Sequence, residues 1–219
     1  FLDVWGGNIL ALCALILISV LMTRACSRFT EVPGRLQNAA EAVVEALENI
    51  LKDILGSSMH EFLPFLGTLF LFIFIMNLTG LIPMLHAPTS QFEITLSVAI
   101  VVFCYVQMVA IRKLGLIGYI DHLMSSPRDL MGWLMAPLML FLHLVAELVR
   151  PISLALRLFG NITGEDALIA AFTGLGVMVL AATGSPVGLP LGLPFILLAI
   201  LFSLIQAMVF TILSAVYIR

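Results

Sequence analysis

The sequence predicts an all-α, polytopic membrane protein: about five membrane helices and one amphipathic surface helix, in a single membrane domain over residues 1–219. Two observations carry the class. Of 219 residues, 62% are hydrophobic and 11% charged, and the mean hydropathy of +1.17 lies outside the range of water-soluble domains. Several uncharged runs also reach the roughly 20 residues that cross a ~30 Å hydrocarbon layer at 1.5 Å per residue. A net charge of −3 without a Lys/Arg cluster excludes a nucleic-acid partner. Cys13, Cys26 and Cys104 are widely separated, mostly in apolar runs, and indicate neither a disulfide framework nor a metal site. Phe1 is not an initiator residue, so further residues are expected before it.

The first span is expected over about 6–24, built on the uncharged run Asn8 to Thr23. Next comes the surface helix, about 34–55. Leu36, Ala40, Val43, Leu47, Ile50 and Ile54 recur at three and four, while Glu41, Glu45, Glu48 and Lys52 take the other face. Its acidic polar face suits protein contact better than anionic lipid. Two more spans follow, over about 62–84 and 93–112. Residues 129–182 are too long for one crossing and too polar for a lipid-facing helix, which predicts a bent or broken helix. Ser126-Pro127-Arg128-Asp129 reads as its cap, and the Thr183-Gly184-Ser185-Pro186 turn ends it. The last span is expected over about 189–218.

Basic residues set the orientation. Arg24, Arg28, Arg35 and Lys52 lie between the first two spans, Arg112, Lys113 and Arg128 lie before the long segment, and Arg219 closes the chain. The loops Met84 to Glu93 and Thr183 to Pro194 carry none, which predicts a cytoplasmic C-terminus and, with five crossings, an N-terminus outside. Asn77-Leu78-Thr79 and Asn161-Ile162-Thr163 match the glycosylation pattern but fall at membrane depth.

The long segment holds polar groups that are costly in hydrocarbon. On a helical wheel with His143 at zero, Glu147 falls near about 40°, Arg150 about −20°, Arg157 about −40°, Asn161 about 0° and Glu165 about 40°. Asp166 lies about 100° from Glu165 and looks toward another neighbour. A charge at the bilayer centre costs about 2.5–3.5 kcal/mol on insertion scales, so this face requires partners or water. Glu147 and Arg150, at i and i+3, are expected to neutralise each other. Arg157 has no such partner one turn away, and its counter-charge is expected from another subunit.

Pro151-Ile152-Ser153-Leu154-Ala155-Leu156-Arg157-Leu158-Phe159-Gly160-Asn161 closely resembles the signature of subunit a of F-type ATP synthases. The resemblance covers nearly the whole chain. Val32 to Asn38, Asn77 to Pro83, Pro88 to Leu96 and Leu204 to Tyr217 resemble further family segments in order. It implies that Arg157 faces a rotating ring of c subunits, with the last two membrane helices long and strongly tilted against that ring. A ring carboxylate would cross lipid neutralised and ionise beside Arg157, which separates two offset half-channels and couples H⁺ or Na⁺ flow to rotation. The peripheral stalk subunit b, the remaining ATP synthase subunits and membrane lipid are the other implied partners. A bacterial plasma membrane is the implied location. No cofactor is implied, and no phosphate-cradling glycine loop is present, so the chain is read as non-catalytic.

Two acids compete for the half-channel role that the family assigns. Alignment from Asn161 favours Asp166, whereas the helical face favours Glu165; Asp166 is taken as the relay acid, with Glu165 as the second candidate. Gln206 matches a glutamine facing the arginine across the last two helices, and Ser203, Ser214 and Tyr217 share its face, as in a wet groove. His143 stands where relatives carry a carboxylate or a histidine, and Ser153, one turn before Arg157, joins the candidates. The sequence departs from the pattern near the outer entrance, where Gln91 takes an acid's place and Glu93 lies two residues on. The alternative is a secondary transporter binding an anionic solute at Arg157, which predicts an internal repeat that the sequence lacks.

Overall fold

A computed structural model describes residues 2–26, 35–82, 87–125, 130–181 and 191–218. The described residues form α-helices α1 (Leu2–Cys26), α2 (Arg35–Leu55), α3 (Met59–Thr79), α4 (Phe92–Leu123), α5 (Leu130–Ala181) and α6 (Leu193–Ile218), with short 3-10 turns at Gly56–Ser58 and Pro88–Ser90. The all-α membrane class is borne out: α3, α4, residues 134–179 of α5, and α6 are each long and apolar enough to cross a membrane. In α1 the comparable apolar stretch, Gly6–Val20, is shorter.

The core forms where α3 packs on α6 and α4 on α5. Phe62, Leu66, Ile73 and Met76 of α3 meet Ala207, Phe210 and Ala215 of α6, all within one cluster with Val102 of α4 and Leu154 and Leu158 of α5. The surface helix α2 contributes Leu47 and Leu51, at 4% and 1% exposure, while Val43 of the same apolar face stays exposed.

Three boundaries differ from the expectations. Helix α3 stops at Thr79 rather than near residue 84. There Gly80 passes close to Ala87, Asn77 accepts a 2.8 Å bond from the buried Thr89, and a proline at 83 disfavours helix in the residue before it. The Asn77 glycosylation pattern is thus a buried structural amide, at 3% exposure. Second, α4 continues past residue 112 to Leu123, with its break at Gly115, whose φ of 72° and ψ of 163° suit only glycine. Third, the segment expected to be bent or broken is continuous: α5 runs as one helix of 52 residues through Pro137 and Pro151. The stretches around Pro33, Ser126–Asp129 and Thr183–Pro186, with Arg28, Arg128 and Arg219, lie outside the described residues.

Candidate functional site

Helices α5 and α6 run antiparallel in one register along the polar face. Phe172 stacks on Phe195 at 4.0 Å between centroids, Asn161 Nδ2 donates to Gln206 Oε1 at 2.7 Å, and the Arg150 guanidinium lies 5.1 Å over the Tyr217 ring. Arg157 falls between the last two pairs. It is exposed, and among the described residues it has neither an ion pair nor a hydrogen bond. Around it, Leu154, Ala155, Leu158 and Ile162 turn inward while Ser153, Gly160, Asn161 and Gly164 stay exposed. A Cβ added at Gly160 or Gly164 would meet nothing within 4 Å, so this small-residue face is not packed on the described residues of the chain.

On the C-terminal side of Arg157, a cleft of about 540 Å³ opens between α5 and α6. Its polar lining is Asn161, Glu165 and Gln206; Leu168, Phe195 and Phe202 are among its apolar walls. Glu165 Oε2 and Gln206 Nε2 are buried without a hydrogen-bond partner, as is the Oγ of Ser203, one turn from Gln206. Buried polar atoms of this kind call for water or a partner's groups. Asp166 is half-buried and does not line the cleft. The helical offset between the two acids thus puts Glu165, not Asp166, with Asn161 and Gln206. Ser214 also differs from the expected wet groove: it is fully buried and satisfied by the carbonyl of Phe210 at 2.8 Å.

On the N-terminal side, the expected Glu147–Arg150 pair does not form among the described residues. The two side chains diverge by about 60° around the helix, enough to face different neighbours. Glu147 turns to α4, where its Oε2 accepts from Gln107 Nε2 at 2.6 Å and from the Tyr119 hydroxyl at 2.7 Å. Arg150 turns to α6 and Tyr217, at a cation–π distance. Gln107 and Tyr119 were not among the sequence candidates. Gln107, an amide inside the apolar run Ile94 to Ile111, was the available signal; Tyr119 gave none, since its placement depends on the break at Gly115.

The remaining candidates stand apart. His143 Nδ1 is 2.9 Å from the carbonyl of Met139 on its own helix. Ser153 is exposed without a hydrogen bond among the described residues, and Glu93 is exposed in the first turn of α4, where its backbone carbonyl accepts from Ser97 at 2.7 Å. Two histidines outside the candidate set lie near element ends: His60, at 79% side-chain exposure, is 3.9 Å from Glu48, and His122 is exposed at the end of α4.

An exposed, unpaired arginine on a long apolar helix, flanked by two polar clusters, agrees with the family resemblance. A family model described as ATP synthase A chain matches residues 8–219. The chain belongs to this family. Among curated relatives, ATP synthase subunit a of Protochlamydia amoebophila is 44% identical over 218 residues, covering 100% of this chain and 80% of that protein. ATP synthase subunit a 3 of Pelobacter propionicus is 38% identical over 96% of this chain and 83% of its own length. The corresponding subunit of Trichlorobacter lovleyi is 37% identical over 94% and 80%. Family membership makes the chain a multi-pass membrane subunit of the ATP synthase, engaged in ion translocation and working among the other subunits of that complex. The solute-transporter alternative finds no support in these relatives.

Proposed function

We propose that Arg157 is the fixed charge that separates two half-channels, so that the coupling ion passes only by riding on a carboxylate of a neighbouring c-subunit ring. The observation that carries the reading is the position of Arg157, exposed and unpaired between two polar clusters of the same chain. Glu147 lies ten residues before it and Glu165 eight after, about 15 Å and 12 Å along the axis. Neither distance allows a direct ion pair, and Arg157 pairs with no other acid among the described residues, which supports a counter-charge supplied by another chain. A guanidinium stays protonated, cannot relay a proton itself, and repels a cation on a direct path.

On this reading, Gly160 and Gly164 leave the α5 face low enough for ring helices to approach. The cleft with Asn161, Glu165 and Gln206 is the polar path on one side of Arg157; the Glu147 cluster belongs to the other. Glu165 is the path's acid, because it lines the cleft with a buried unpaired oxygen. The chain itself performs no nucleotide chemistry. Its exposed surface helix α2, acidic on its polar face, is a docking face for the peripheral stalk subunit b. Arg112, Lys113 and the C-terminus mark the cytoplasmic side of a bacterial plasma membrane, with the N-terminus outside.

The test is ATP-driven ion pumping by the assembled complex in inverted vesicles carrying Arg157→Gln. Pumping is expected to vanish while the complex still assembles. Survival of pumping at the unsubstituted rate would refute the reading.

A further inference from the structure

We infer that Gln107, Tyr119 and Glu147 form a proton-loading triad on the side of Arg157 opposite the Glu165 cleft, with Glu147 as the group that takes the proton. The inference rests on the ion-translocation reading above and assigns to its second path a specific acid and a specific ion.

The geometry contains three contacts among three side chains: Gln107 Nε2 to Glu147 Oε2 at 2.6 Å, Tyr119 hydroxyl to Glu147 Oε2 at 2.7 Å, and Tyr119 hydroxyl to Gln107 Oε1. A tyrosine hydroxyl has one hydrogen, yet two acceptors lie within its reach. With Glu147 ionised, Gln107 and Tyr119 supply hydrogens for two of the contacts and leave two oxygens opposed in the third. Adding one proton to Glu147 Oε2 removes the conflict. Glu147 then donates to the Tyr119 oxygen, Tyr119 donates to Gln107 Oε1, and Gln107 Nε2 donates back to Glu147. Every group donates once and accepts once, a closed circuit in which each bond polarises the next. Loading therefore converts the Glu147 carboxylate to its acid with a proton taken from water, and unloading returns that proton; no other bond changes.

Access and containment are both built in. A surface recess of about 490 Å³ along α4 is lined by Gln107 and Arg112, and a small cavity of about 10 Å³, close to the minimum for one water, lies among Gln107, Arg150 and Tyr217. Among the described residues, the charged groups around Glu147 leave it free of a direct ion pair. Arg150 of α5 lies over Tyr217 of α6, Lys113 of α4 over Phe62 at 4.8 Å, Arg112 lines the recess, and His143 is held to the carbonyl of Met139. A fixed ion pair would have held Glu147 ionised and opposed its loading.

The backbone explains how α4 supplies both partners. Gln107 and Tyr119 are 12 residues apart, about 18 Å along a straight helix, too far for both to reach one carboxylate oxygen. The Gly115 break folds the end of α4 back so that Tyr119 returns to the level of Gln107. A Cβ at Gly115 would touch nothing within 4 Å, so the glycine is needed for its dihedral angles alone. Gly115 and Tyr119 are thus positioning residues for Glu147.

The test uses the intact complex in inverted vesicles, with ATP-driven acidification measured against ATP hydrolysis and subunit content. Glu147→Gln keeps a side-chain oxygen able to accept hydrogen bonds but cannot be loaded, and is expected to slow proton pumping by about tenfold or more. Glu147→Asp is expected to restore much of the rate. Glu147→Ala, which opens space, is expected to regain part of it with millimolar azide, a small permeant weak acid. Unchanged pumping in Glu147→Gln, or no gain from either Asp or azide, assigns the cluster to structure alone and overturns the inference; so does pumping that requires Na⁺. If Glu147→Gln fails to assemble, Tyr119→Phe decides: pumping several-fold slower in an assembled complex supports the triad, and an unchanged rate overturns it. Loss of pumping in Arg157→Gln beside full activity in Glu147→Gln would keep the ion-translocation reading and reject the triad.

Discussion

The hydrogen bond from the Asn161 amide to the Gln206 amide allows an asymmetric prediction. Gln206 is 5% exposed; its Oε1 accepts the 2.7 Å bond from Asn161, while its Nε2 has no partner. Asn161→Ala would leave a buried amide with neither end satisfied. A net hydrogen bond contributes about 0.5–1.5 kcal/mol and an orphaned buried group costs about 1–3, while bonds between membrane helices average about 0.6 and reach about 1.7. We expect Asn161→Ala to cost about 1–2 kcal/mol. Gln206→Leu removes the buried amide with the bond and leaves only the exposed Asn161, which water can satisfy, so it should cost less than about 1 kcal/mol. After Gln206→Leu, adding Asn161→Ala should cost almost nothing further. Equilibrium unfolding of the four proteins in mixed detergent micelles measures the cycle. A double variant whose cost equals the sum of the singles, within about 0.3–0.5 kcal/mol, would show that the bond contributes nothing and would refute the reasoning.

Three further outcomes are expected. Glu165→Gln should slow ATP-driven ion pumping by about tenfold or more, and more than Asp166→Asn does, because Glu165 lines the cleft and Asp166 does not; the reverse order in vesicle assays would move the acid role to Asp166. A Cβ at Gly80 would lie 2.7 Å from the Cβ of Ala87 and 3.3 Å from its backbone nitrogen. Gly80→Val should therefore destabilise by about 1–3 kcal/mol through overpacking, read as a lower unfolding midpoint. Thr89→Val removes the buried 2.8 Å donor to Asn77 and should cost about 1–2 kcal/mol, which Thr89→Ser should largely recover in the same measurement.

Much of the architecture was legible from hydropathy and spacing alone. The membrane class, the amphipathic α2 and the exceptional polarity of the long segment follow from residue order, because crossing hydrocarbon constrains each helix by its own length and composition. The neighbourhood of Arg157 was legible for the same reason: helical periodicity fixes which residues share a face, so Asn161, Glu165 and Arg157 could be aligned from their numbers. Element ends were less so. The early stop of α3 depends on a backbone approach between Gly80 and Ala87, which no local propensity encodes.

Only the tertiary structure decided how the polar groups pair. From spacing, Glu147 and Arg150 are natural partners; packing turns one to Gln107 and Tyr119 on α4 and the other to Tyr217 on α6. Periodicity within one helix gives the direction of a side chain, but the identity of its partner depends on which helix lies there and in what register. The dihedral angles of one residue, Gly115, bring Tyr119 to Glu147 across 28 positions of sequence. Arg157 is the case where the two levels agree: the sequence supplies no counter-charge one turn away, and the folded chain leaves the guanidinium exposed and unpaired among the described residues.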